Sequence, residues 1–140
     1  VLEPQRSVVL GYFEERFGIP LTAFAAYRLL ERHKIYVLMH DSPHLEALAS
    51  LKVHSLGLPL LRKMRYALKP TTVALQRFGH QATRHRLELL PAQMMQLRQA
   101  HELSLYLEWS PGYIMLLYEG HILGCGLYTP SRLRSQMPSH

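Results

Sequence analysis

The chain has 140 residues, 48% of them hydrophobic, with 16 Lys and Arg against 10 Asp and Glu, a net charge of +6 and a pI near 9.7. That is the composition of a globular protein of one domain, or of two small ones sharing an interface, and its charge favours RNA, DNA or an acidic partner over a neutral small molecule. Cys125 is the only cysteine, which excludes an internal disulfide and a thiolate zinc cluster and points to a reducing, cytoplasmic setting; no segment approaches the ~20 apolar residues of a membrane span, and none reads as a signal peptide.

In residues 5–17 the apolar positions Val8, Val9, Tyr12, Phe13 and Phe17 recur at helical spacing, with Gly18 as the stop and Pro20 as the restart. A short helix is expected over Leu21 to Ala26. Tyr27 to Glu31 and Ile35 to Met39 flank the polar Arg32-His33-Lys34, which reads as a β-hairpin, with a continuous helix through Leu30 as the alternative. Ser42-Pro43 opens a helix from His44 to Ser50. Leu51 to Leu61, broken by Gly57 and Pro59, suggests strand, bend, strand. Thr71-Thr72 caps a helix through Ala74, Leu75 and Phe78 that ends at Gly79. Arg86 to Leu90 is a short strand, and Pro91 starts a helix holding Met94, Met95 and Leu97. Strands follow at Leu103 to Leu107, Tyr113 to Tyr118 and Ile122 to Tyr128, separated by turns at Ser110-Pro111-Gly112 and Glu119-Gly120-His121. The tail from Pro130 is polar and basic. This order fits an α+β chain whose second half closes a small barrel.

Charge is unevenly placed. Between Glu46 and Glu88 there is no Asp or Glu, yet the window holds Lys52, Arg62, Lys63, Arg65, Lys69, Arg77, Arg84 and Arg86, eight of the 16 basic residues. A surface that collects positive charge without counter-charge attracts a polyanion, most often nucleic acid. Its plain alternative is a solvated basic face. Within this run, Leu68-Lys69-Pro70-Thr71-Thr72 leads into Gln76-Arg77-Phe78-Gly79-His80. A helix starting at Thr71-Thr72 offers free N–H groups, hydroxyls and a nearby lysine to one phosphate, or is simply well capped. A second constellation, Arg132-Leu133-Arg134-Ser135-Gln136-Met137-Pro138, sets two arginines about a leucine on a strand edge or turn, with polar groups able to reach sugar or base; a solvated tail is the alternative.

Catalytic and metal signatures are weak. The only Asp is Asp41, beside His40 and His44, and its turn explains these residues as a helix start. Pro43 breaks the helical face that a zinc pair at His40 and His44 would need. His80 and His85 read as solvent histidines near the basic run. Gly124-Cys125-Gly126 reads as a buried thiol between glycines in a tight sheet. It lacks the third glycine and following helix of a dinucleotide fingerprint. No catalytic residue, cofactor or metal is expected.

Gly112-Tyr113-Ile114 through Gly120, Leu123-Gly124-Cys125-Gly126 and the ending Arg134-Ser135-Gln136-Met137-Pro138 resemble a PUA-like RNA-binding domain. The ending looks most like the C-terminal PUA-like region of RsmF-type RNA cytosine-5 methyltransferases. Tyr27-Arg28-Leu29, Lys34-Ile35-Tyr36-Val37, the helix before Leu51 and Ser55-Leu56-Gly57 follow the order of the pre-PUA half of ribosome-biogenesis factors that pair a pre-PUA with a PUA domain. Arg86-Leu87-Glu88-Leu89-Leu90-Pro91 falls where that family begins its PUA strand and helix. A lysine common before that helix proline is Leu90 here, which puts a contact at this position in doubt. The resemblance implies a pre-PUA-like α/β half over residues 1–80 and a PUA-like β pseudo-barrel over 81–140. It also implies RNA binding that places structured rRNA or tRNA for a methyltransferase domain in cis or trans. A stand-alone ribosome-biogenesis factor and a protein–protein adaptor with a basic face are the alternatives. The chain begins at Val1, which leaves room for an upstream portion. The expected RNA contacts are Arg62, Lys63, Arg65, Lys69, Thr71, Thr72, Arg77, Arg84 and Arg86 on phosphates, and Arg132, Arg134 and Gln136 closer in. Tyr128 is a candidate to stack on a base.

Overall fold

A computed structural model of the chain describes residues 5–40 and 57–137. The helix at Ser42–Ser50, the first strand of the Leu51–Leu61 segment and Lys52 therefore lie outside the described residues. Helix α1 (Arg6–Phe17) buries Val9, Leu10, Phe13 and Phe17, a stripe built on four-residue steps. Val8 faces solvent instead. Gly18 takes φ 72°, and its N–H reaches the Glu14 carbonyl while Ile19 N–H reaches Phe13. This is the left-handed helix end that glycine accommodates at little cost. The expected second helix shrinks to one 3₁₀ turn, Leu21–Phe24.

Strands β1 (Tyr27–Arg32) and β2 (Ile35–His40) form the hairpin, so the continuous-helix alternative falls. β3 (Leu58–Lys63) and β4 (Leu68–Pro70) complete an antiparallel sheet in the order β1-β2-β3-β4. The sequence gives no sign of β4. A proline within it is tolerated because β4 is an edge strand, where the missing N–H costs no ladder bond. Helix α2 (Thr72–Phe78) follows, capped by Thr71 and ending at Gly79 as the sequence predicts.

The second sheet contains β5 (Arg86–Glu88), β6 (Glu102–Ser104), β7 (Gly112–Tyr118), β8 (His121–Thr129) and β9 (Arg132–Ser135), with helix α3 (Pro91–Ala100) between β5 and β6. Their order is β5-β7-β8-β9-β6, with β5 parallel to β7. The polar tail thus supplies an inner strand, held by Leu133, which is fully buried. The Glu119-Gly120 turn has φ values of 50° and 79°, the pair of left-handed residues that a tight hairpin needs.

The chain is α+β, but the second sheet is open: β5 and β6 are its edges and do not pair with each other. The expected barrel closure is not made. Both edge strands have only three residues. Leu97 of α3 and the segment holding Leu105, Leu107 and Trp109 close the core in their place, packing with Leu89, Leu103, Ile114, Leu116, Tyr128 and Leu133. The opposite face of this sheet gives Tyr113, Met115, Leu117, Ile122 and Cys125 to a larger cluster shared with α1, α2 and the first sheet. β7 is consequently covered on both sides, which is why Tyr113–Leu117 are all buried and why its sequence is apolar without alternation.

Candidate nucleic-acid interface

The β3–β4 ladder sets Arg62 directly opposite Lys69. Opposed residues project to the same face with Cβ atoms ~4.5–5.5 Å apart, and like charges so placed destabilise the sheet. Arg62 is exposed and makes no ion pair or hydrogen bond among the described residues. Lys69 is half-buried, and its ammonium donates to Gln136 Oε1 at 3.0 Å. The two basic constellations of the sequence, 67 residues apart at this contact, therefore meet. Gln136 is held in turn by its own N–H on the Cys125 carbonyl.

From Gln136 the charge continues along β9. Arg132 and Arg134 share one face of the strand and both approach Glu102 Oε1, at 3.5 and 3.4 Å. One carboxylate serves two guanidiniums, and both remain more than half exposed, so a net positive charge is left on the surface. The first sheet carries two more arginines on the Arg62 face, each already engaged in an interaction of its own. In register, Arg32 lies opposite Ile35, and Ile35 opposite Arg62, which puts Arg32 in the same cross-strand row, with Arg28 two steps along β1 on the same face. Arg28 and Arg32 escaped sequence reasoning because they lie outside the acid-free window. Their four-residue spacing on an alternating strand, which puts both on the face opposite the buried Leu29, is the signal that could have found them.

Other expected contacts are used differently. Lys63 forms a close ion pair with Glu31 and lies 4.9 Å from the Tyr36 ring centre, on the face of the first sheet opposite Arg62. The Thr71 hydroxyl is engaged twice, accepting from Ala74 N–H at 3.0 Å and donating to the Pro59 carbonyl at 2.6 Å. It is a cap and has little left for a phosphate. Thr72 is half-buried against Gly124. Arg77 donates to the Tyr27 hydroxyl at 3.0 Å, Arg84 to the Glu14 carbonyl at 2.6 Å and Arg86 to the Ala82 carbonyl at 3.3 Å. Arg77 and Arg84 tie separate elements together, Arg86 makes a local bond, and none of the three joins Arg62 and Lys69 in one cluster. Arg65 is exposed at the β3–β4 turn, 5.4 Å from the ring of Tyr66.

Tyr128 does not stack on a base. It is fully buried, and its hydroxyl donates to the Leu107 carbonyl and accepts from Leu107 N–H, each at 2.8 Å. Cys125 is buried as expected, and burial pushes its thiol up to about 11, against a smaller opposing effect of Lys69. Both neighbouring glycines sit where a side chain would be crowded or strained. A Cβ at Gly126 would meet Leu133 at 2.7 Å, and Gly124 takes φ 147° where the β7–β8 register shifts, the strand irregularity that favours glycine. His85 is not a free solvent histidine: its Nδ1 is bonded to the Arg16 carbonyl and its ring meets Trp109 edge-on at 5.4 Å. Among the described residues, no three His, Cys, Asp or Glu side chains gather closely enough to hold a metal ion, and no helix is long and apolar enough to cross a membrane. The Asp41, Ser42 and His44 cluster lies outside them.

No protein-family model matches the chain, and no curated protein matches it significantly in sequence.

Proposed function

We propose that the chain is a non-catalytic RNA-binding module that positions structured rRNA or tRNA for a modification activity, such as a methyltransferase domain in cis or trans. In this reading the first sheet and its helices are the pre-PUA-like half and the second, open sheet is the PUA-like half. The observation that carries the proposal is the opposed pair Arg62–Lys69, with Lys69 bonded to Gln136 just past the strand that holds Arg132 and Arg134. Two like charges held face to face cost stability unless an anion lies across them. A phosphate backbone supplies anions in series, and duplex RNA is recognised mainly by shape and backbone.

Binding of a structured RNA to the chain should weaken steeply as salt rises, since each neutralised phosphate releases counterions. Lys69→Ala should lower the slope of log affinity against log salt by about one unit and weaken all RNA sequences alike. RNA affinity that does not respond to salt would remove the interface.

A further inference from the structure

The same hairpin carries a second feature at its tip. Strand β3 runs past Arg62 into a tight turn closed by Met64 N–H on the Ala67 carbonyl at 2.8 Å. Tyr66 in that turn is 88% exposed, the most exposed of the large hydrophobic side chains among the described residues. Its ring is backed by the Arg65 guanidinium.

Beneath the turn is a cavity of about 500 Å³, bounded by the hairpin tip, by Tyr12 and Arg16 of α1, and by Pro111, Gly112 and Tyr113 at the start of β7. Its volume is within the ~300–1,000 Å³ of small-ligand sites. One wall is fixed: Arg16 donates to the Tyr113 carbonyl at 2.8 Å and to Ser110 Oγ at 2.7 Å. A Cβ on Gly112 would sit 3.1 Å from that guanidinium, so glycine is what allows the loop to lie so close. Tyr12, also in the lining, has a hydroxyl shut off from solvent that finds no hydrogen-bond partner. That hydroxyl is closed off from the cavity as well, so what the lining offers is an apolar surface flanked by the Arg16 and Arg65 guanidiniums.

We infer that Tyr66 and Arg65, above the cavity lined by Tyr12, Arg16 and Tyr113, form a platform for one unpaired RNA base. The base stacks on Tyr66 over the apolar lining, and Arg65 takes its flanking phosphate. Stacking on an aromatic face suits any base, and an adjacent guanidinium strengthens it. Position supports this occupant, because Arg65 lies three residues beyond Arg62, in the turn that closes the same hairpin. The cavity lies on the Lys63–Leu68 face of that hairpin, so an RNA docked on Arg62 and Lys69 reaches it by turning over the tip. The inference rests on the RNA-binding reading.

The test compares two RNAs with the native chain: a hairpin with an unpaired loop carrying a fluorescent adenine analogue, and a fully paired duplex of equal charge. Tyr66→Ala should lower affinity for the looped RNA by roughly 5- to 150-fold, the range for loss of one stacked base, and leave duplex affinity and the salt slope unchanged. Tyr66→Phe should retain binding, since it keeps the ring. Arg65→Ala should lower the slope by about one unit. The analogue's emission should change with native protein and not with Tyr66→Ala. Trp109 emission and circular dichroism check that each variant is folded. Salt-sensitive RNA binding that Tyr66→Ala leaves intact would overturn the platform, give this surface to a protein partner, and spare the RNA reading. Absence of any salt-sensitive RNA binding would overturn both.

Discussion

A Cys125 thiol wrapped by Pro70, the β7–β8 ladder and the larger core has neither the exposure nor the lowered pKa of a nucleophile. Cys125 should resist a thiol reagent in the native state and react at once in denaturant; rapid native labelling would reopen an enzymatic role. The Tyr128 hydroxyl has a stricter job, because it is the partner of both backbone groups of Leu107. Tyr128→Phe leaves those groups without it and should cost about 1–3 kcal/mol in a denaturant titration. His85 is held low chiefly by burial and further by the charges of Arg16 and Arg84, against the raising effect of its bond to the Arg16 carbonyl. The folded state therefore binds the proton more weakly than the unfolded chain does. The stability this gives is complete above the ordinary value of 6.5 and declines as pH falls below it. His85→Gln should flatten that decline in a series of thermal melts, and an unchanged pH profile would assign it to other groups.

At the scale of elements, legibility followed the apolar pattern. α1, the β1–β2 and β7–β8 hairpins and the capped α2 were readable because hydrophobic period and turn chemistry agreed. β4 and β9 were not. Leu68-Lys69-Pro70 reads as the approach to a helix, and Arg132-Leu133-Arg134-Ser135 as a strand edge or turn with a solvated tail as the alternative, because each has a single leucine and its place in a sheet comes from neighbours far along the chain. Open closure of the second sheet was equally hidden, since the segment holding Leu105, Leu107 and Trp109 fills the core without joining the ladder. The acid-free window located Arg62 and Lys69 but not their opposition, which depends on β3–β4 register. It also swept in Arg77, Arg84 and Arg86, whose bonds are to the protein itself. Relieving the Arg62–Lys69 opposition should have a mixed signature. Arg62→Gln should leave stability unchanged or raise it by up to about 1 kcal/mol at low salt while weakening RNA binding. A variant that loses stability would show that Arg62 has a structural role.

For the whole molecule, the two sheets are not independent. The larger cluster takes side chains from α1, β1–β3, α2, β7 and β8, and the Arg16, Arg84, Gln76 and Lys69 hydrogen bonds cross between the two halves of the sequence. That shared core fixes β4 against the end of β9 and so brings Lys69 of the first sheet to Gln136 of the second half. The most direct measurement of this account is the salt dependence of RNA affinity for three proteins: the native chain, Arg62→Ala/Lys69→Ala, and Arg84→Ala. The account predicts a slope about two units smaller for the double variant and a native slope for Arg84→Ala, whose guanidinium is spent on the end of α1. A native slope in the double variant, or an equal loss in Arg84→Ala, would contradict it.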